Sequence, residues 1–357
     1  MTRKQQLMVL VIVSLATAVL TAGCTSQTAS NQTASVSGAV HETVLNVKDM
    51  SNQLEAGKID AFVAWEPIVS QAQLNGTGVI LANSDAIWPQ HVGDVIAIPN
   101  SSLQKLNRNV LLCLIWAHVK GTDFINDPNN HDTVVQYIAN DSGVSLQAAN
   151  DSLKNVQYVG DNNPNSIRDC YNELNNASYL NKSVTDLGYA NESQFFNSFV
   201  IQNYSKEVND NLSRDPNWKP PVVNSTINVG FLTADSTRLA SIVAQNQGYY
   251  SACGLTVHFK EYPNGVAMMK DLKTGALDAG YVGAVPTIEA RVNDNAKIQI
   301  ISEVNHGGSA IVVKPNGGIR SIADLKGKLV GIPTVGGLQD IVLRKAAQQY
   351  NLSVSVN

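Results

Sequence analysis

Three short stretches place hydroxyl and backbone donors where a helix begins: Thr233-Ala234-Asp235-Ser236, Val282-Gly283-Ala284-Val285-Pro286 and Pro333-Thr334-Val335-Gly336-Gly337. Each follows a short apolar run and opens a helix-like period. The first N–H groups of a helix have no partner inside it, and the helix dipole is positive at that end. Turns of this kind suit nitrate, carboxylate, sulfonate or bicarbonate; glycine lets the backbone approach, and threonine adds a hydroxyl. The candidate ligand-binding residues on them are Thr233, Ser236, Gly283, Ala284, Thr334, Val335 and Gly336. Ser309, after Gly307-Gly308, offers a further hydroxyl. Trp65 and Glu66 end an apolar run, and His91 stands in a polar-aromatic segment with Trp88.

Two copies of one corner must position these residues. In Leu54-Glu55-Ala56-Gly57-Lys58-Ile59-Asp60-Ala61 the glycine sits where a helix is closed by a left-handed residue, and the run to Trp65 is a buried strand. Leu272, Gly275, Leu277, Asp278 and Ala279 repeat the same offsets. Two related corners, each ending at a possible ligand surface, predict two similar lobes facing a cleft. Asp60 and Asp278 read as strand-start residues rather than a catalytic pair.

A chain of 357 residues normally makes two domains. Its net charge of −4 argues against a nucleic-acid footprint, while leaving room for a small anion held by local dipoles. Enzyme grammar is missing: the sequence has no GxSxG, no HExxH and no P-loop, and the six histidines lack ligand spacing. The reading is therefore a non-enzyme with no cofactor and no metal.

At the N-terminus Arg3 and Lys4 precede an apolar run from Leu7 to Leu20, followed by Leu20-Thr21-Ala22-Gly23-Cys24, which resembles a lipobox. The expectation is a lipoprotein signal peptide over 1–23, a lipid on Cys24 and a flexible tether over 24–39. Cys113, Cys170 and Cys253 remain, with no metal spacing and no pairing that the sequence names.

Along the chain, residues 40–85 read as alternating strand and helix. Residues 101–205 turn α-rich, with helices expected over Leu103–Val119, His131–Ala139, Leu146–Asn155 and Asn191–Tyr204. Residues 205–226, with Asp215-Pro216 and Pro220-Pro221, read as a linker, because proline blocks helix and central strand alike. From Ile227 the strands and helices alternate strictly, which predicts parallel α/β sheets.

Here a resemblance becomes specific. "INVGFL", "LKTGALDAGYVGAVPTIEA" and "SIADLKGKLVGIPTVGGLQDIVLRKAAQQY" resemble the opening half of the nitrate/sulfonate/taurine-type substrate-binding proteins of ABC importers. "VLNVKDMSNQLEAGKIDAFVAWEPIVSQA" resembles the middle of the same proteins, and the stretch after Ala72 resembles their end. The family's opening half thus stands last, and the chain reads as a circular permutant; a truncated copy fused to the front of a second is the alternative.

The resemblance implies a bilobal, periplasmic-binding-protein-like α/β fold of type II, with two parallel-sheet lobes around a cleft. Lobe I would combine 86–204 with 227–316, lobe II would combine 317–357 with 40–85, and 205–226 would join the family's usual end to its usual start. It implies an extracytoplasmic, lipid-anchored monomer that captures a small anionic nutrient by hinge closure and delivers it to an ABC permease and its ATPase. Trp65 and Glu66 would face the ligand from lobe II. A binder of a thiamine-pyrimidine or riboflavin precursor is the alternative, followed by an enzyme on the same fold.

Overall fold

The computed structural model describes residues 38–356. The expected signal peptide, the Cys24 lipidation site and tether residues 24–37 lie outside them. Gly38 and Ala39, read from sequence as tether, begin the first strand.

Both repeated corners fold alike. Gly57 and Gly275 take φ of +67° and +74°, the left-handed conformation that closes the preceding helix. Each corner then reaches its strand-start aspartate. The Asp60 backbone N–H donates to the Leu329 carbonyl at 2.8 Å, and its carboxylate accepts the Leu329 N–H at 2.9 Å. The Asp278 backbone N–H donates to the Asn228 carbonyl at 2.8 Å, and its carboxylate accepts the Asn228 N–H at 2.9 Å. In each lobe the aspartate therefore clamps a neighbouring strand.

The strands, in chain order, are β1 (Gly38–Val44), β2 (Ala61–Trp65), β3 (Val79–Asn83), β4 (Asp94–Pro99), β5 (Val156–Tyr158), β6 (Ser225–Leu232) and β7 (Leu255–Tyr262). They continue as β8 (Ala279–Gly283), β9 (Ile298–Glu303), β10 (Asn305–Gly307), β11 (Ser309–Val313), β12 (Leu329–Ile332) and β13 (Leu352–Val356). One sheet has six strands in the order β13-β1-β12-β2-β11-β3, a second has five in the order β7-β6-β8-β4-β9, and β10 pairs antiparallel with β5 in a two-stranded ladder. β1 lies between two strands from the far end of the sequence, with Val40 opposite Val354 and His41 opposite Leu329, both ladders parallel. β2, β4, β8 and β11 are buried on both faces, which is why they read as unbroken apolar runs.

The expected all-parallel sheets are corrected to mixed ones. β11 runs antiparallel to β2 and β3, and β4 runs antiparallel to β8 and β9. The reason is geometric. The parallel strands end at the cleft, so a segment crossing the cleft enters the opposite sheet at its cleft edge and must run away from it. Residues 84–93 make one crossing and 304–308 the other. β11, assigned by sequence to lobe I, consequently belongs to the six-stranded sheet.

The linker expectation is also shortened. Asn203–Arg214 is a helix, amphipathic around buried Ser205 and Val208 and carrying a Lys206–Asp210 pair at 2.9 Å on its exposed side. Only 215–224 is irregular. The helix Arg108–Asn126 is buried along most of its length, and Gly121 lets it approach the helix Leu239–Asn246 so closely that a Cβ would sit 2.2 Å from the Ala240 carbonyl oxygen. Among the described residues no helix is long and apolar enough to cross a membrane.

Candidate ligand cleft

The cleft ends of both sheets enclose a cavity of about 30 Å³. That is room for one or two water molecules, so the two lobes are in a closed arrangement. Trp65, Ser309, Thr334 and Gln339 line it from the six-stranded side; Asp94, Asp235, Thr237, Asn264 and Gly283 line it from the five-stranded side.

Asp94 and Asp235 are the chemical centre. Both are buried. The Thr237 hydroxyl oxygen lies 2.8 Å from Asp94 Oδ2 and 2.5 Å from Asp235 Oδ1, and the Thr237 N–H also donates to Asp235 Oδ1 at 2.8 Å. One hydroxyl has one proton and cannot donate to two carboxylates, so a carboxyl must supply the second. Burial, with Asp235 beside it, pushes Asp94 well above the usual carboxylate range; burial raises Asp235 as well, opposed by its bonds to Thr237. Asp94 is raised further than Asp235, so a proton held by this carboxyl pair sits on Asp94. Asp235 Oδ2 remains buried with no protein partner.

The amides expected to serve a ligand are mostly engaged. The Gly336 N–H donates to Asp340 Oδ2 at 2.9 Å, the Ala284 N–H to the Gly93 carbonyl at 2.9 Å, and the Ser236 N–H to the Glu66 carbonyl at 3.0 Å. Both the N–H and the hydroxyl of Thr233 go to the Tyr262 carbonyl, at 2.9 and 3.2 Å. The Ser309 hydroxyl accepts from Gln339 at 3.0 Å. At Gly337 and Leu338, by contrast, the helix Leu338–Gln348 opens onto the cavity without a side-chain cap.

Four of the eleven sequence-derived candidates line the cavity: Trp65, Gly283, Ser309 and Thr334. Thr233, Ser236, Ala284 and Gly336 are in the same turns with their N–H groups bonded inside the protein, and the buried Ser236 hydroxyl has no partner. Val335 is 38% exposed. The Glu66 carboxylate points elsewhere, accepting from Ser70 Oγ at 2.9 Å and Asn155 at 2.6 Å, and burial raises it to about 7. His91 borders a separate 260 Å³ hollow with Trp88 and His306; burial first, then His306 and Lys345, lower it to about 4.

Sequence reasoning missed Asp94, Thr237, Asn264 and Gln339. Asp235-Ser236-Thr237 is a side-chain-capped turn signature that was legible. Asp94 stands 141 positions from Asp235, and nothing in the sequence links them.

Residues 237–356 match the model described as "NMT1/THI5 like", and residues 32–139 match that of the "NMT1-like family". The two matches fall on separate stretches, each about a third of the chain. The chain is 30% identical to a Brucella abortus protein named "Putative binding protein" over 123 residues, 34% of this chain and 37% of that one. It is 31% identical over 105 residues to a nitrate import ATP-binding protein of Synechococcus elongatus, 28% of this chain and 16% of that one. It is 28% identical over 134 residues to a 4-amino-5-hydroxymethyl-2-methylpyrimidine phosphate synthase of Schizosaccharomyces pombe, 37% of this chain and 38% of that one. The chain thus spans between 16% and 38% of the length of these relatives.

Proposed function

We propose that this chain is an extracytoplasmic substrate-binding component of an ABC importer. It would be anchored through Cys24, capture a small solute by closing its lobes, and hand it to a permease driven by its ATPase. The observation that carries this reading is the cavity itself, built from the cleft ends of both sheets and joined by the two crossings at 84–93 and 304–308. A solute larger than two waters enters only if the lobes separate, so closure and binding are one equilibrium.

For the ligand, the lining favours a nitrogen-bearing solute over an anion. It holds two carboxyls and no lysine, arginine or histidine, and most of the turn amides are bonded within the protein. The free Asp235 Oδ2 asks for an N–H or O–H donor, as an aminopyrimidine would present. The similarity to a pyrimidine phosphate synthase supports the same class. An enzymatic role on this fold is weaker, because His91 lies outside the cavity.

In this reading the chain is a circular permutant whose lobe II joins 38–83 with 309–356. The insertion of β1 between β12 and β13 supports it, as do the two family matches to separate stretches. Isothermal titration with aminopyrimidines, amines, taurine, alkanesulfonates, nitrate and bicarbonate tests the ligand class. Saturable binding of a nitrogen base with none of the simple anions is the expected result; tight nitrate or sulfonate binding would reverse the ligand reading, and no binding at all would sink the transport reading.

A further inference from the structure

The irregular segment 215–224 crosses a pair of buried cysteines. Cys113 lies in the helix Arg108–Asn126, and Cys253 follows the short helix Tyr249–Ala252 at the entrance to β7; both are fully buried. Cys113 Sγ lies 3.9 Å from the Cys253 carbonyl oxygen, which makes the two buried cysteines neighbours. The segment is pinned on the same spot: the Cys113 thiol lies 3.8 Å from the Pro221 carbonyl, the Val223 N–H donates to the Cys253 carbonyl at 2.7 Å, and Trp116 donates to the Trp218 carbonyl at 2.8 Å. Cys170, the third described cysteine, packs in the other hydrophobic core. All three are free thiols here.

We infer that Cys113 and Cys253 form a disulfide when the chain folds in an oxidising compartment. A Cys thiolate attacks the S–S bond of a low-molecular-weight disulfide such as oxidised glutathione, giving a mixed disulfide and one released thiol. The second Cys thiolate then displaces the remaining glutathione, so the Sγ–Sγ bond forms, two cysteines are oxidised, and two glutathione thiols leave with the two protons. Burial of both sulfurs places this exchange during folding, before β6 and β7 close over them. The bridge spans the sequence from one side of 215–224 to the other, and in the permuted reading it staples the junction between the family's end and its start. A loop of this length gives the larger class of disulfide stabilisation.

Persistence of the bridge in the cell rests on the extracytoplasmic location proposed above, but its formation in a redox buffer does not. The test is refolding of the full chain with reduced and oxidised glutathione, followed by alkylation under denaturing conditions and peptide mass spectrometry. The expected product is a Cys113–Cys253 linked peptide with Cys170 alkylated. Reductant then lowers the melting temperature by on the order of 5 °C, and leaves the Cys113→Ser variant unmoved. Alkylation of both Cys113 and Cys253, or linkage of either to Cys24 or Cys170, overturns the inference. Binding titrations on the same preparation fail or succeed independently, so loss of the transport reading would not be mistaken for loss of the bridge.

Discussion

The indole N–H of Trp65, at the end of β2, donates to the carbonyl of Thr233, the residue after β6, across 3.2 Å of the cleft. Two residues singled out as ligand partners thus satisfy each other from opposite sheets. The Ser236 N–H to the Glu66 carbonyl, at 3.0 Å, makes a second such link beside it. These bonds exist only while the lobes are together. Trp65→Phe keeps an aromatic ring but loses the donor, which costs the closed state about 1 kcal/mol. Small-angle scattering of the ligand-free variant should show a larger radius of gyration than the parent; an unchanged profile would mean that this bond does not hold the lobes.

The carboxyls set a pH dependence. Burial raises Glu42 and Glu66 to about 7 and Glu289 to about 8, with Asp340 adding to Glu42 and Glu289. An acid raised in the folded state binds more protons folded than unfolded, so stability falls as pH climbs from the ordinary carboxylate value to the raised one. His91 and His118, both lowered to about 4 by burial, act in the opposite sense up to their ordinary value of 6.5. Only the acids act above that point. The melting temperature should therefore decline between about pH 6.5 and 8, and Glu289→Gln should flatten the decline, as read by scanning fluorimetry.

Close helix packing gives a third expectation. A Cβ on Gly121 meets the Ala240 backbone, which cannot swing aside like a side chain. Gly121→Ala should cost about 2 kcal/mol or more in urea unfolding, despite alanine's better helix propensity. A stabilised variant would mean that the two helices stand further apart.

β1 supplies the fourth. Val40 is fully buried between β12 and β13, whereas Val44 is 53% exposed. Val40→Asp should unfold the six-stranded sheet or cost several kcal/mol, because it buries a charge without a partner. Val44→Asp should stay within about 0.5 kcal/mol of the parent in the same denaturation series.

The sequence spoke most clearly where chemistry is local. Gly57 and Gly275 marked their helix ends, and Asp60 and Asp278 were legible as strand starts, though not as the strand clamps that the structure shows. Strand direction was not legible in β4 or β11, since a five- or six-residue apolar run reads the same in either sense. The helix Asn203–Arg214 was hidden by its polar composition, which left few apolar positions to show a period. At the cleft, the turns were found but their donors were misassigned. Whether an amide is free depends on a carbonyl or carboxylate that the fold brings in, such as Asp340 for Gly336 or Gly93 for Ala284. The Asp94–Thr237–Asp235 chain is likewise a product of topology, joining β4 to the turn after β6.

The most direct test of the cleft as a capture site is a paired calorimetric titration of the parent chain and Asp235→Asn with an aminopyrimidine. Asparagine keeps the shape but offers one acceptor oxygen in place of two and brings donors of its own. The account predicts saturable binding to the parent and an affinity at least tenfold weaker in the variant, about 1.4 kcal/mol. Equal affinities in the two proteins would contradict it.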